Sequence, residues 1–316
     1  MPDKKIIVVF GATGAQGGGL AHAILNDENS EFAIRAVTRD GNSDKAQQLA
    51  QKGAEVVTAD IDDPDALKAA LKGAYGAYFV TFFWSHMSPE REMAEAKVMA
   101  DAAKEAGLKH VIWSTLEDTR QYIPLTDDRI PTLMEKYKVP HFDAKGESDR
   151  FFIEAGVPTT FLLTSFYYDN FIYFGMGPKK GADDKLLLTL PLGDRKLAMI
   201  AAEDIGKAAY GIFKKGEELI GKTVGIAGDH QSGAEMAKAM SSALGKEVEY
   251  NKIPSSVYRS FGFPGADDLG NMFQFNHDFA NEFNGKRDLN FTKMLNPEVQ
   301  SFDMWLKESG QRIPLG

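Results

Sequence analysis

The chain has no cysteine among its 316 residues. That excludes disulfides, thiolate zinc ligands and cysteine nucleophiles together, and it suits a reducing compartment. A cytoplasmic location, with access to the nucleus, is the expectation. Long apolar runs are also missing. Nothing approaches the ~18 consecutive apolar residues of a membrane span, so no membrane partner is expected. The run after "MPDKK" meets glycine after five residues, short of the ~7–15 of a secretory signal, and reads as a first strand. Positive charge is scarce: 36 Lys and Arg against 45 Asp and Glu leave a net charge of −9. With no basic run interleaved with aromatics, direct nucleic-acid binding through phosphate neutralisation is disfavoured. The six histidines are scattered, with no i, i+4 pair and carboxylate, so no metal site is expected. No G-x-S-x-G elbow supports a serine hydrolase.

What the chain does have is rhythm. Apolar runs without period-2 alternation recur at Ile6–Phe10, Phe32–Thr38, Ala54–Ala59, Ala77–Phe82 and His110–Thr115. Such runs suit strands covered on both faces. Helical stretches lie between them at Gly18–Asn26, Asp44–Lys52, Pro64–Leu71 and Pro89–Ala106. Right-handed crossovers then give a parallel sheet. A long, proline-bearing connection over 117–143 and the Gly-rich 175–181 stretch are the segments expected to move. A helix over Lys145–Ala155, a strand over Thr159–Thr164, a helix from Ala201 and a strand over Lys222–Gly228 follow. The predicted fold class is α/β: a Rossmann-type doubly wound parallel sheet with a smaller, mostly α-helical second domain. Residues 1–165 plus about 198–230 form the first unit, and 166–197 plus 231–316 the second. Acidic pairs such as Asp62–Asp63 and Asp267–Asp268 read as solvated charges or helix caps.

The chemistry concentrates in "FGATGAQGGG", Phe10 to Gly19. Gly11, Gly14 and Gly17 form G-x-x-G-x-x-G between a strand and a helix, a phosphate-cradling turn. The loop Gly11, Ala12, Thr13, Gly14, Ala15, Gln16 and Gly17 is therefore the expected diphosphate site, with the helix N-terminus supplying N–H groups. About 20 residues on, the second strand ends in "AVTRD". Arg39 there suits a 2′-phosphate, with Ser43 and Lys45 as helpers, and favours NADP(H); Asp40 keeps NAD as a minority option. Asp60, followed by Ile61, ends the third strand, where it either reaches an adenine amino group or caps the next helix. Thr81, Phe82 and Phe83 end the fourth, at the edge where ligands of open α/β sheets bind.

Taken together, "VVFGATGAQGGG", "VTRD", "GAEVV", "HFDAKGE" and "FGFPGADDLGNMFQF" resemble the NmrA-like family of atypical short-chain dehydrogenases/reductases, in its NADP(H)-sensor branch. The resemblance runs along nearly the whole chain. It implies NADP(H) as cofactor and a redox-sensing, regulatory role exercised through a protein partner, with homodimerisation as a further expectation. Catalytic members of the wider superfamily carry Tyr-x-x-x-Lys. Here Lys145 keeps its place as a ribose or nicotinamide contact, but His141 stands where tyrosine would be. His141 is read as an acid in principle and as a surface or capping residue by default. Ser114 matches the superfamily serine. Tyr167, Tyr168, Asp169 and Asn170 are placed by the resemblance beside the nicotinamide. The leading expectation is a sensor without efficient catalysis. The alternative is an NADPH-dependent reductase of a quinone or small carbonyl compound, using Lys145, His141 and Ser114.

Overall fold

The computed structural model describes residues 4–181 and 185–315. The first half alternates strand and helix: β1 (Lys5–Phe10), α1 (Ala15–Asn26), β2 (Phe32–Thr38), α2 (Asp44–Gln51), β3 (Glu55–Thr58), α3 (Pro64–Leu71), β4 (Gly76–Phe79), α4 (Pro89–Ala106), β5 (His110–Thr115), α5 (Pro140–Ala155) and β6 (Thr159–Leu163). The second half runs β7 (Phe166–Tyr167), α6 (Asn170–Tyr173), β8 (Lys179–Lys180), β9 (Leu186–Leu190), β10 (Lys196–Ile200), α7 (Ala202–Lys215), β11 (Thr223–Gly225), β12 (Asp229–Ser232), α8 (Gly233–Leu244) and β13 (Val248–Lys252). Five helices finish it: α9 (Ser255–Arg259), α10 (Ala266–Asp278), α11 (Ala280–Gly285), α12 (Leu289–Leu295) and α13 (Phe302–Ser309).

Seven strands form one sheet in the order β3-β2-β1-β4-β5-β6-β11, parallel throughout. The strands lack alternation because both faces are covered. Leu20 and Ile24 of α1 and Ile205 and Ile212 of α7 bury one face. Leu67, Met99 and Phe152 of α3, α4 and α5 bury the other. The strand order reverses between β1 and β4, which opens a crevice at the carboxyl edge of the sheet. A second core gathers Phe171, Leu188, Met236, Phe273, Phe302 and Trp305 under two three-stranded sheets, and Ile123, Val139 and Phe142 also join it. This is a Rossmann-type α/β fold with a smaller, mainly helical second part. Among the described residues, no helix is long and apolar enough to cross a membrane.

Two local expectations are corrected. The helix expected from Lys145 begins at Pro140, because proline fits the first helical position and Asp268 accepts the free main-chain N–H of His141 at 3.2 Å. "HFDAK" is therefore the first turn of α5 and not a loop. The connection before it is fastened in place. The buried Lys138 ammonium donates to Asp127 O and Ile130 O at 2.7 Å and to Thr132 Oγ1 at 2.9 Å. Asp143 gathers Thr119 N, Thr119 Oγ1, Lys138 N and Val139 N within 3.1 Å. Burial pushes the Asp143 carboxyl up to about 6.

Candidate functional site

The glycine loop is shaped by close backbone approach. Gly11 sits at φ +64°, and a Cβ on Gly17 would lie 2.5 Å from Gly11 O. Gly19 and Gly206 do the same work further on, letting α1 and α7 touch backbone to backbone. Helix α1 starts at Gly14 with no side-chain cap and no acidic residue in its first turn. Its leading N–H groups and partial positive charge are left for an anion. Lys45 lies outside the cleft wall but reaches Thr13 O from behind the loop at 3.3 Å. The Ala12 side chain is buried in the core beneath, so only its backbone borders the turn.

At the end of β2 the Arg39 side chain is exposed in the cleft, with no ionic or hydrogen-bonding partner among the described residues. Asp40 is drawn into its own loop, where Oδ1 accepts Asn42 N–H at 2.9 Å and its carbonyl accepts the Ser43 hydroxyl at 2.9 Å. Asp60 and Ile61 line the cleft. Asp60 Oδ1 accepts Asp62 N–H at 3.1 Å, and it is Asp63 that caps α3, so the capping alternative for Asp60 is corrected.

Across the switch point the polar side chains interlock. Gln16 Oε1 accepts Ser114 Oγ–H at 2.9 Å and the Tyr78 hydroxyl, while Nε2 donates to Tyr167 OH at 2.5 Å. Burial pushes the Tyr167 phenol up to about 12, so it stays protonated. The Lys145 ammonium meets Glu92 Oε1 at 2.6 Å, Thr81 Oγ1 at 2.7 Å and Thr81 O at 3.3 Å. The fully buried Glu92 was invisible in "PEREMAEA", where its side chain looks like any helix-surface charge. His86, Glu92 and Glu95 converge nearby. His86 Nδ1 accepts Ser88 N–H at 3.1 Å, so the proton sits on Nε2, 3.4 Å from Glu92. That nitrogen makes no hydrogen bond among the described residues, and in this tautomer it has no lone pair for a metal.

One cavity of about 1480 Å³ joins these parts. Its wall takes in Arg39, Gly11 to Gly17 without Ala12, Thr81 to Phe83, Ser114, Lys145, Tyr167, Asp169 and Asn170. The rest of its wall, the chamber, is largely aromatic and apolar, with Trp84, Phe174, Phe261, Phe263, Leu269 and Met272, and includes Lys179 and Thr189. Phe82, Phe174 and Phe261 are 57%, 53% and 47% exposed there. Tyr168 does not belong to it. Its ring packs on Phe302 and Trp305, fully buried, because the chain turns directly after β7 and carries this side chain into the second core. Asp169 Oδ2 is partly engaged, accepting Ala202 N–H at 2.9 Å.

His141 is neither a surface residue nor a cap. It is buried on the chamber wall, one helical turn from Lys145. Its ring sits against Trp84 and Phe142, each 4.8 Å between centroids, and Nδ1 lies 2.7 Å from Asp268 Oδ1. Asp268, expected as a solvated charge or a helix cap, is itself buried.

The parallel sheet, the glycine turn and the edge cleft define a Rossmann-type dinucleotide-binding protein. The chain belongs to the NmrA-like family, whose profile matches residues 3–306. An NmrA-like family domain-containing oxidoreductase of Aspergillus flavus is 25% identical over 306 residues, covering 91% of this chain and 88% of its own. The crystal structure of NmrA, a negative transcriptional regulator, in complex with NADP is similar at a TM-score of 0.80 and 22% identity, covering 98% and 96%. An NADPH-dependent quinone oxidoreductase of Escherichia coli, crystallised with NADPH, is similar at 0.68 and 23% identity, covering 97% and 98%. The family and fold are those of NAD(P)-binding proteins.

Proposed function

We propose that this protein binds NADP(H) along the sheet edge and reduces a quinone or small aromatic carbonyl compound held in the adjoining chamber. The observation that carries the proposal is the size and lining of the cavity. At about 1480 Å³ it exceeds the ~300–1,000 Å³ typical of a single ligand pocket, and its far part is aromatic. NADP(H) is favoured over NAD(H) by the free Arg39 guanidinium and by the engagement of Asp40 in its own loop. Gly11 to Gly17 and the α1 N-terminus would take the diphosphate, and Lys145, Tyr167, Asp169 and Asn170 the nicotinamide half. When bound, the reduced dinucleotide supplies hydride. The protein's part is to hold the acceptor, keep water out and position Lys145 through Glu92 and Thr81. The names of the oxidoreductase relatives point the same way.

A redox-sensing regulator is the second reading, supported by the likeness to NmrA. It includes a protein partner, self-association and a cytoplasmic location. It rests on that likeness and on the missing tyrosine of Tyr-x-x-x-Lys, and the chamber-wall position of His141 bears on the second ground alone. Lys145→Met separates the two. A reductase loses turnover by roughly 10²-fold or more while still binding NADPH. A sensor loses affinity alone, and its wild type consumes NADPH at background with every quinone and carbonyl offered.

A further inference from the structure

We propose that His141, oriented by Asp268, is the group that donates a hydrogen bond and then a proton to the carbonyl oxygen of the compound in the chamber. This rests on the reductase reading and adds a catalytic residue to it.

The geometry is specific. Asp268 comes from the first turn of α10, in the second part of the molecule, and holds His141 twice. Oδ1 accepts from ring Nδ1 at 2.7 Å and Oδ2 accepts the main-chain N–H at 3.2 Å. With Nδ1 committed as a donor, the ring orientation is fixed and Nε2 has no partner among the described residues. In the proposed reactive form both ring nitrogens carry protons, that on Nδ1 held by Asp268 and that on Nε2 directed to the ligand. The rings of Phe83, Trp84 and Phe142 pack around the imidazole, and His141 lines the cavity. Lys145 is not a rival donor, because it is held by Glu92 and Thr81 on the side assigned to the nicotinamide half.

A second observation points to a ligand in the same place. Asn276, on the α10 face that also carries Leu269 and Met272, has a buried Oδ1 without a partner, and so has Ser165 Oγ. Both residues line the cavity, and buried polar atoms are seldom left unpaired in a working site. A largely apolar chamber with the imidazole edge of His141 and two unpaired polar groups among the described residues suits an aromatic ring bearing a carbonyl. In the reaction the carbonyl carbon gains a C–H bond from the hydride of the reduced dinucleotide, which is oxidised. The π pair passes to oxygen, oxygen takes the Nε2 proton, and the neutral imidazole regains a proton from water.

The test uses naphthaldehyde as probe, with wild type, His141→Ala and Asp268→Asn, each checked for folding by thermal unfolding. Binding is read without turnover, from quenching of Trp84 fluorescence in the absence of cofactor. The expected result is a 5- to 10-fold loss of probe affinity in His141→Ala, the worth of roughly one hydrogen bond. In the presence of NADPH, kcat should fall roughly 10²- to 10⁴-fold. Added imidazole should restore part of it, which a purely structural role would not allow. Asp268→Asn should lower kcat more than KM and should not respond to imidazole. Unchanged probe affinity and a kcat within about 3-fold of wild type in His141→Ala overturn the proposal and leave the reductase reading standing. No turnover by the wild type overturns that reading and the proton transfer together.

Discussion

Replacing Arg39 by alanine should change which dinucleotide binds more than whether one binds. The guanidinium follows β2 at the rim of the cleft, exposed and without a partner among the described residues. The only other cation beside it on this stretch, Lys45, is turned to Thr13 O. A hydrogen bond to a charged group is worth ~1.5–3 kcal/mol when it replaces water. Exposure holds a rim contact to the low end of that range, so the loss for NADPH should be roughly 10- to 30-fold. NADH has no 2′-phosphate to lose, and its affinity should move by less than about 3-fold. Screening adds a second signature. At about 1 M salt the Debye length falls to ~3 Å, and the wild-type preference for NADPH should shrink toward that of the variant. Fluorescence titration with NADP+, NADPH, NAD+ and NADH at low and high salt measures all of this. Equal losses for phosphorylated and unphosphorylated dinucleotides, or no loss at all, would refute the assignment of Arg39.

Other substitutions test other parts of the account. Gly17→Ala places a Cβ 2.5 Å from Gly11 O, so the loop must shift, and dinucleotide affinity should fall by roughly 10²-fold. Glu117→Ala strands Arg287, whose buried guanidinium meets Glu117 at 2.7 and 3.0 Å and lies over the Phe283 ring. Denaturant unfolding should show a loss of about 3–5 kcal/mol. Asp149 accepts Trp113 Nε1–H and Thr115 Oγ1–H, and burial pushes its carboxyl up to about 7 from 3.8. The folded state thus keeps a proton that the unfolded chain releases above pH ~4, and stability from this group falls as pH rises from about 4 to about 7. Asp149→Asn removes that dependence. The variant should therefore gain on wild type by about 2 kcal/mol between about pH 5 and about pH 8, after allowance for partial exposure. A constant difference across that range would remove Asp149 as the titrating group.

The sheet was readable because its signals are local. Apolar runs without alternation mark strands covered on both sides, and Pro64–Leu71 and Pro89–Ala106 carry proline at their first helical turn, where the helices do begin. The glycine turn was readable for the same reason, since Gly11 and Gly17 follow directly on β1. The chamber was not. Asp268 lies 127 residues from His141, Glu92 reaches Lys145 from another helix, and nothing local in the sequence marks either acid as buried. Only the packing of α10 against the start of α5 reveals that one of these acids fixes an imidazole. Tyr168 failed in the opposite sense. Residues adjacent in "FYYDN" were treated alike, although the chain turns directly after Tyr167, which lines the cavity, and carries Tyr168 into the second core.

The most direct test of the central claim is NADPH consumption by the wild-type protein with naphthaldehyde or naphthoquinone as acceptor. The account predicts saturable consumption, proportional to protein and lost in Lys145→Met. NADPH bound tightly but consumed only at background with every acceptor would contradict it and leave a protein that reads the cofactor without using it.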